Sequence, residues 1–197
     1  MNIYLVRHGE TSWNEQGLWQ GSNDIPLNEL GLQQAQETSE RLCAKMSTKA
    51  TPKVYSSHLL RAMETANLIA SSLGSEVIAN YELREIELGN WEGKHEDIIT
   101  ASKEYKVWAI GEECAPGGES KRQAYSRAIM ALRDMAKAES HDFIVVTHTM
   151  IVRMIVCHIL SSPISDWNTF AIDNGAVTTI NYDKEGDKFK IITLNEK

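Results

Sequence analysis

Residues 3–11 read IYLVRHGET. The run Ile3, Tyr4, Leu5 and Val6 is short, apolar and rich in β-formers, as a buried strand requires. Arg7, His8 and Gly9 follow without a gap, so a cation and an imidazole stand where that strand ends. In open α/β sheets, ligands bind at the carboxyl ends of the strands. Gly9 permits a tight exit and a close approach of backbone to a ligand. The stretch reads as one wall of an anion-handling site.

Further elements follow on both sides of this wall. Residues 12–26 are rich in Gly, Asn, Gln and Asp, with Trp13 and Trp19 among them, and read as a loop folding over the strand end. Helical spacing predicts a helix over 28–46, capped at Asn28. A break at Thr51 and Pro52 precedes a strand over 54–57 and a helix over 58–73, which Gly74 stops. A third short strand is expected over 77–79. Residues 81–93 lack any period and should pass irregularly over the site. A weak helical pattern covers 96–110. The turn at 115–118 leads into a strong helix over 120–138, where Ser120 and Gln123 fit a capping box.

Residues 143–147 form a central strand, and 150–160 are apolar almost all round, as in a buried helix. Two strands over 177–182 and 189–194 flank the turn signal AspLysGluGlyAsp. The alternation argues an α/β sandwich with a mostly parallel sheet and an antiparallel pair at the end. At 197 residues, one domain suffices, with 81–118 as a small cap-like insert.

Composition narrows the function classes. The chain is 42% hydrophobic and 24% charged, ordinary for a globular protein. A net charge of −7 argues against nonspecific binding of nucleic acid or of acidic membranes. An anion site must then be local. The three cysteines, Cys43, Cys114 and Cys157, form no CxxC pair, which fits reduced thiols in a cytoplasmic protein better than a disulfide or zinc framework. The N-terminus has no signal-peptide pattern, and no apolar stretch reaches membrane-spanning length.

Three strand ends carry related groups. The first presents Arg7 and His8, the second Ser56 and Ser57 with Arg61 soon after, and the strand ending at Thr147 presents His148. All three can gather on one edge of a parallel sheet. Paired arginines grip a phosphoryl group through several N–H donors, a geometry that lysine lacks. One histidine is suited to attack phosphorus and the other to donate to the developing charge.

In order along the chain, LVRHGET with Asn14, SSHLLRAMETA around Arg61, LREIELGNWEG around Glu85, PGGES at 116–120, VVTHT around His148 and DNGAVTTI at 173–180 resemble the histidine phosphatase superfamily. That group includes cofactor-dependent phosphoglycerate mutases and many phosphomonoesterases. The resemblance spans nearly the whole chain and implies a three-layer α/β/α sandwich. It implies His8 as nucleophile, with Arg7, Arg61 and His148 binding the phosphoryl group. It implies Glu85 as the acid that protonates the leaving oxygen, Asn14 as a further phosphate contact, and Gln20 and Gly21 in the loop that covers the pocket. No metal and no cofactor are expected.

Thr149 departs from the pattern, since relatives commonly carry glycine there. Beside the substrate, a β-branched residue there either restricts the backbone or caps the following helix with its hydroxyl.

The reading favours a phosphatase acting on a small phosphorylated metabolite. Mutases of the family carry a basic insert after the acid, whereas the interval from Gly93 to Pro116 is short and holds only Lys94, Lys103 and Lys106. Length and the GNWEG pattern resemble the α-ribazole-phosphate and broad-specificity members. The alternatives are a phosphoglycerate mutase and a degenerate module that only binds phosphorylated ligands or proteins. Glu82, Glu87 and Glu92 read as surface charges, and His58, His95, His141 and His158 as structural or solvent-facing. Trp19 or Trp91 is a candidate pocket wall. Nothing in the sequence fixes the oligomeric state.

Overall fold

A computed structural model of the chain, describing residues 1–46, 51–110 and 113–197, sets the opening stretch in the middle of a six-stranded sheet. Strand β1 (Asn2–Arg7) lies between β4 (Phe143–Thr147), which runs parallel to it, and β5 (Val177–Asp183), which runs antiparallel. With β2 (Val54–Ser56), β3 (Val77–Ala79) and β6 (Lys188–Glu196), the order is β3-β2-β4-β1-β5-β6. The first four strands in that order are parallel, and β5 and β6 form the expected antiparallel pair.

Side chains alternate across the sheet. Ile3 and Leu5 join the core on one face, Tyr4 and Val6 the core on the other. Both faces of β1 are covered, which is why its sequence shows a continuous apolar run. Helices α6 (Lys121–Ala138) and α7 (Thr149–Leu160) pack on the first face. Helices α2 (Glu29–Lys45) and α3 (Leu60–Leu73) pack on the second, completing three layers.

Local chemistry sets the helix ends. Asn28 accepts the Gly31 N–H at 2.8 Å and so caps α2. Ser120 and Gln123 satisfy each other's backbone N–H groups at the start of α6. Gly74, at φ 64°, closes α3. The cap expected from Thr149 is not found: His148 occupies the N-cap position, without a side-chain cap bond, and Thr149 is already the first helical residue. A capping hydroxyl must stand just outside the helix to reach its free N–H groups.

Two segments differ from the sequence reading. Residues 12–26 contain a short helix, α1 (Ser12–Glu15), held by reciprocal bonds between Thr11 and Asn14. One turn is too short to show a period. The weak pattern over 96–110 is two helices, α4 (Glu96–Thr100) and α5 (Lys103–Ile110). Ser102 interrupts them and accepts the Tyr105 N–H at 3.1 Å, starting the second. Within 81–118, single turns of 3-10 helix occupy Tyr81–Leu83 and Gly89–Trp91, and positions 111–112 lie outside the described residues.

Gly9 also has a packing use. A Cβ there would fall 2.3 Å from the Gly31 carbonyl oxygen, and a Cβ at Gly31 would fall 2.0 Å from the Glu10 carbonyl oxygen. The exit of β1 thus crosses the first turn of α2 backbone to backbone. Gly31→Ala forces the two apart and should cost roughly 1–3 kcal/mol of stability, as overpacking typically does. Urea denaturation checks this, and an unchanged midpoint would show that the crossing yields freely.

Candidate active site

The β1–β4 register pairs Arg7 with Thr147, so the residues that follow, His8 and His148, leave the sheet side by side. Their ring centroids are 5.1 Å apart. The Nδ1–H of His8 donates to its neighbour's carbonyl, Gly9 O, at 2.6 Å. That bond fixes the tautomer and leaves the Nε2 lone pair free. His148 Nε2 meets Ser57 Oγ at 2.8 Å, and Ser57 Oγ also accepts the Leu59 N–H at 3.3 Å. Accepting that N–H leaves the Ser57 hydroxyl its own proton to give to His148 Nε2. In that arrangement the ring proton is on Nδ1, a buried atom with no partner among the described residues.

Guanidiniums flank the pair. Arg7 donates to Ile172 O at 2.7 Å, and Arg61 to Asn23 O at 2.6 Å and Gly21 O at 2.8 Å. The Nε of each is buried and unpartnered among the described residues. Burial pulls both guanidiniums down to about 10, so both remain charged at neutral pH. Burial, followed by the charge of Arg61, holds both imidazoles well below the ordinary histidine range. The two rings are neutral and the two arginines cationic, a pattern suited to nucleophilic attack beside a bound dianion.

Glu85 reaches this place through its backbone. The guanidinium of Arg127 donates to the carbonyls of Glu82, Arg84 and Glu85, and its other edges hold the Glu119 carboxylate at 2.8 Å each. Thr147 Oγ1 donates to Leu83 O at 2.7 Å. The Glu85 carboxylate accepts from Ile86 N at 3.0 Å and from Met150 N, at the start of α7, at 3.3 Å. Burial raises its pKa, opposed by those N–H groups and by Arg61. It can therefore hold a proton nearer neutrality than an exposed glutamate.

A cavity of about 530 Å³ opens over these groups. Its wall includes Arg7, His8, Asn14, Gln20, Gly21, Arg61, Glu85 and Thr149, so these candidates converge, with His148 buried beside His8. Gly21, at φ 51°, turns the covering loop where a Cβ would strike the Glu92 carboxylate at 2.1 Å. Glu92, read as a surface charge, instead braces that loop. It accepts from Ser22 N, Asn23 Nδ2 and Leu88 N at 2.6–3.0 Å. Trp19 lines the cavity, with Trp91 edge-on behind it.

Sequence reasoning gave no site role to Arg153, Tyr105, Trp167 or Asn174. Asn174 donates to His8 O at 3.1 Å and Asn14 Oδ1 at 3.3 Å. Arg153 had a signal, as the lone arginine in an otherwise apolar helix. His95 caps α4 and His158 pairs with Tyr125, both structural.

Neutral buried imidazoles leave a mark on folding. In the unfolded chain a histidine takes up a proton as pH falls through about 6.5. The folded rings stay neutral there, because their pKa values are depressed. Stability from these groups is present above pH ~6.5 and lost below it, by up to about 1.4 kcal/mol per pH unit for each ring. His8→Asn and His148→Asn should each remove one proton's share of the slope between pH ~6 and ~5. Chemical denaturation across that range checks this, and an unaltered slope would mean that the rings are charged in the fold.

The profile of the histidine phosphatase superfamily (branch 1) matches residues 3–197. A phosphoglycerate mutase-like protein 4 of Arabidopsis thaliana is 38% identical over 160 residues, 78% of this chain and 68% of that one. A mycobacterial glucosyl-3-phosphoglycerate phosphatase, solved in complex with VO3, superposes with a TM-score of 0.87 at 25% identity over 100% of this chain and 99% of that one. A phosphoserine phosphatase of Entamoeba histolytica, solved with phosphoserine, gives 0.86 at 28% identity over 98% and 96% of the two chains. With the family profile spanning nearly the whole chain, this protein belongs to the histidine phosphatase superfamily.

Proposed function

We propose that the chain is a metal-independent phosphomonoesterase acting on a small phosphorylated metabolite through a phosphohistidine on His8. The observation that carries this reading is the fixed tautomer of His8, its Nε2 free, beside the cationic guanidiniums of Arg7 and Arg61. In the first step Nε2 attacks phosphorus, the ester P–O bond breaks, and Glu85 gives its proton to the leaving oxygen. In the second, Glu85 takes a proton from water, the oxygen attacks phosphorus and the P–N bond breaks. Arg7, Arg61 and the Nδ1–H of His148 hold the equatorial oxygens in both steps. Phosphoryl transfer needs chiefly positioning and charge stabilisation, which fixed cations supply. Asn14, Gln20, Gly21 and Thr149 shape the pocket around the bound group.

The short interval between Gly93 and Pro116 supports a phosphatase over a mutase, since no basic insert shields the intermediate from water. The similarity to two solved phosphatases points the same way. Within this reading the chain is a single domain with residues 81–118 as its cap, and its substrates include α-ribazole phosphate or a broad range of esters.

Two outcomes test it. Quenching during turnover should trap an acid-labile, alkali-stable phosphoenzyme that His8→Ala abolishes. Absence of that species, or isomerisation of phosphoglycerate faster than phosphate release, would overturn the proposal. Glu85→Gln should slow alkyl phosphates by roughly 10²–10⁴-fold, the usual worth of a general acid, and p-nitrophenyl phosphate far less. Equal losses on both substrates would assign the proton to another group.

A further inference from the structure

Residues 173–175 read DNG, and the steps above give them no part. Their backbone is nonetheless clamped from two sides. Gly175, at φ 69°, donates its N–H to Arg7 O at 3.1 Å and to His8 O at 3.3 Å. Its own carbonyl accepts from Thr38 Oγ1 at 2.6 Å and from Arg41 Nη2 at 2.9 Å, both on α2. A Cβ on Gly175 would fall 3.1 Å from Gln34 Cβ and 3.2 Å from Thr38 Oγ1. The turn is therefore pressed between α2 and the backbone of the nucleophile.

This turn carries Asn174 into the cavity wall. Asn174 Nδ2 donates to His8 O at 3.1 Å and to Asn14 Oδ1 at 3.3 Å. Only the NH2 end of an amide can serve two carbonyl oxygens at once; the opposite end would set oxygen against oxygen. Asn14 Oδ1 also accepts from Thr11 N and from Thr11 Oγ1, at 3.2 Å each. Donors from two segments converge on that one oxygen and decide which way the Asn14 amide is turned. Asn14 Nδ2 then lies on the other side, without a hydrogen-bond partner among the described residues. Asn14 lines the cavity together with Arg7 and His8, where an unspent NH2 group suits an anionic oxygen. The carbonyl of His8 does not depend on Asn174 alone, because Gly175 N also reaches it.

Resting on the phosphatase reading, we infer that Asn174 is a positioning residue: it holds the Asn14 amide with Nδ2 toward the phosphoryl oxygens and acts on the reaction through Asn14.

A double-substitution cycle tests this. Asn14→Ala, Asn174→Ala and the pair are assayed with p-nitrophenyl phosphate for kcat/KM and for inhibition by inorganic phosphate. Asn14→Ala should lower kcat/KM and weaken phosphate inhibition by roughly tenfold or more, the scale of a hydrogen bond to a charged group. Asn174→Ala should lose roughly threefold to tenfold in both, because Thr11 still holds the Asn14 oxygen. The pair should lose no more than Asn14→Ala alone, as residues acting in series do. Asn174→Asp keeps the shape but cannot donate, and should lose more than Asn174→Ala. Losses that add in the pair, a single alanine variant with unchanged kcat/KM, or an aspartate variant better than the alanine one would overturn this inference alone. Absence of phosphate release from the unsubstituted protein would overturn the phosphatase reading with it.

Discussion

Parallel pairing of β1 with β4, with Arg7 opposite Thr147, is the constraint on which the site depends. Two strands far apart in sequence end at one level, and each is followed at once by a histidine. The rings meet at 5.1 Å, both buried. Burial of one ring alone would depress its pKa; burial beside Arg61 and Arg7 does so more strongly. A slip of one residue in the register would send each side chain to the opposite face of the sheet and separate the pair.

The remaining polar groups are held by bonds to backbone rather than to each other. Arg61 fastens the loop at Gly21 and Asn23, Glu92 braces the same loop from the other side, and Arg127 ties down the turn that carries Glu85. The Arg127–Glu119 pair is buried, so its own net stabilisation is small, because desolvation offsets attraction. Its effect is geometric: it gives the carbonyls of Glu82, Arg84 and Glu85 a fixed donor.

Where the sequence reading succeeded, a local signal with a physical cause was present. The apolar run of β1, the Asn28 and Ser120 caps and the stop at Gly74 all act within a few residues. Where it failed, the cause lay elsewhere in the chain. Glu92 looked like a surface charge because its partners Ser22 and Asn23 are some seventy positions away. The packing of Gly9 against Gly31 was not legible either, because nothing near Gly9 in the chain revealed it. Arg153 was absorbed into an apolar helix whose buried face dominates its composition.

The sequence by itself determined most of the elements, their class and the residue types at the strand ends. Those properties follow from hydrophobic period, turn chemistry and motif order, which are local. Only the tertiary structure decided the protonation states and the reach of each group. A pKa shift is set by burial and by charges from distant segments, and the free valence of a nitrogen depends on which carbonyls the fold brings to it. His8 was therefore named by its neighbours in the chain, but its neutral ring, fixed tautomer and paired arginines are products of the folded sheet edge.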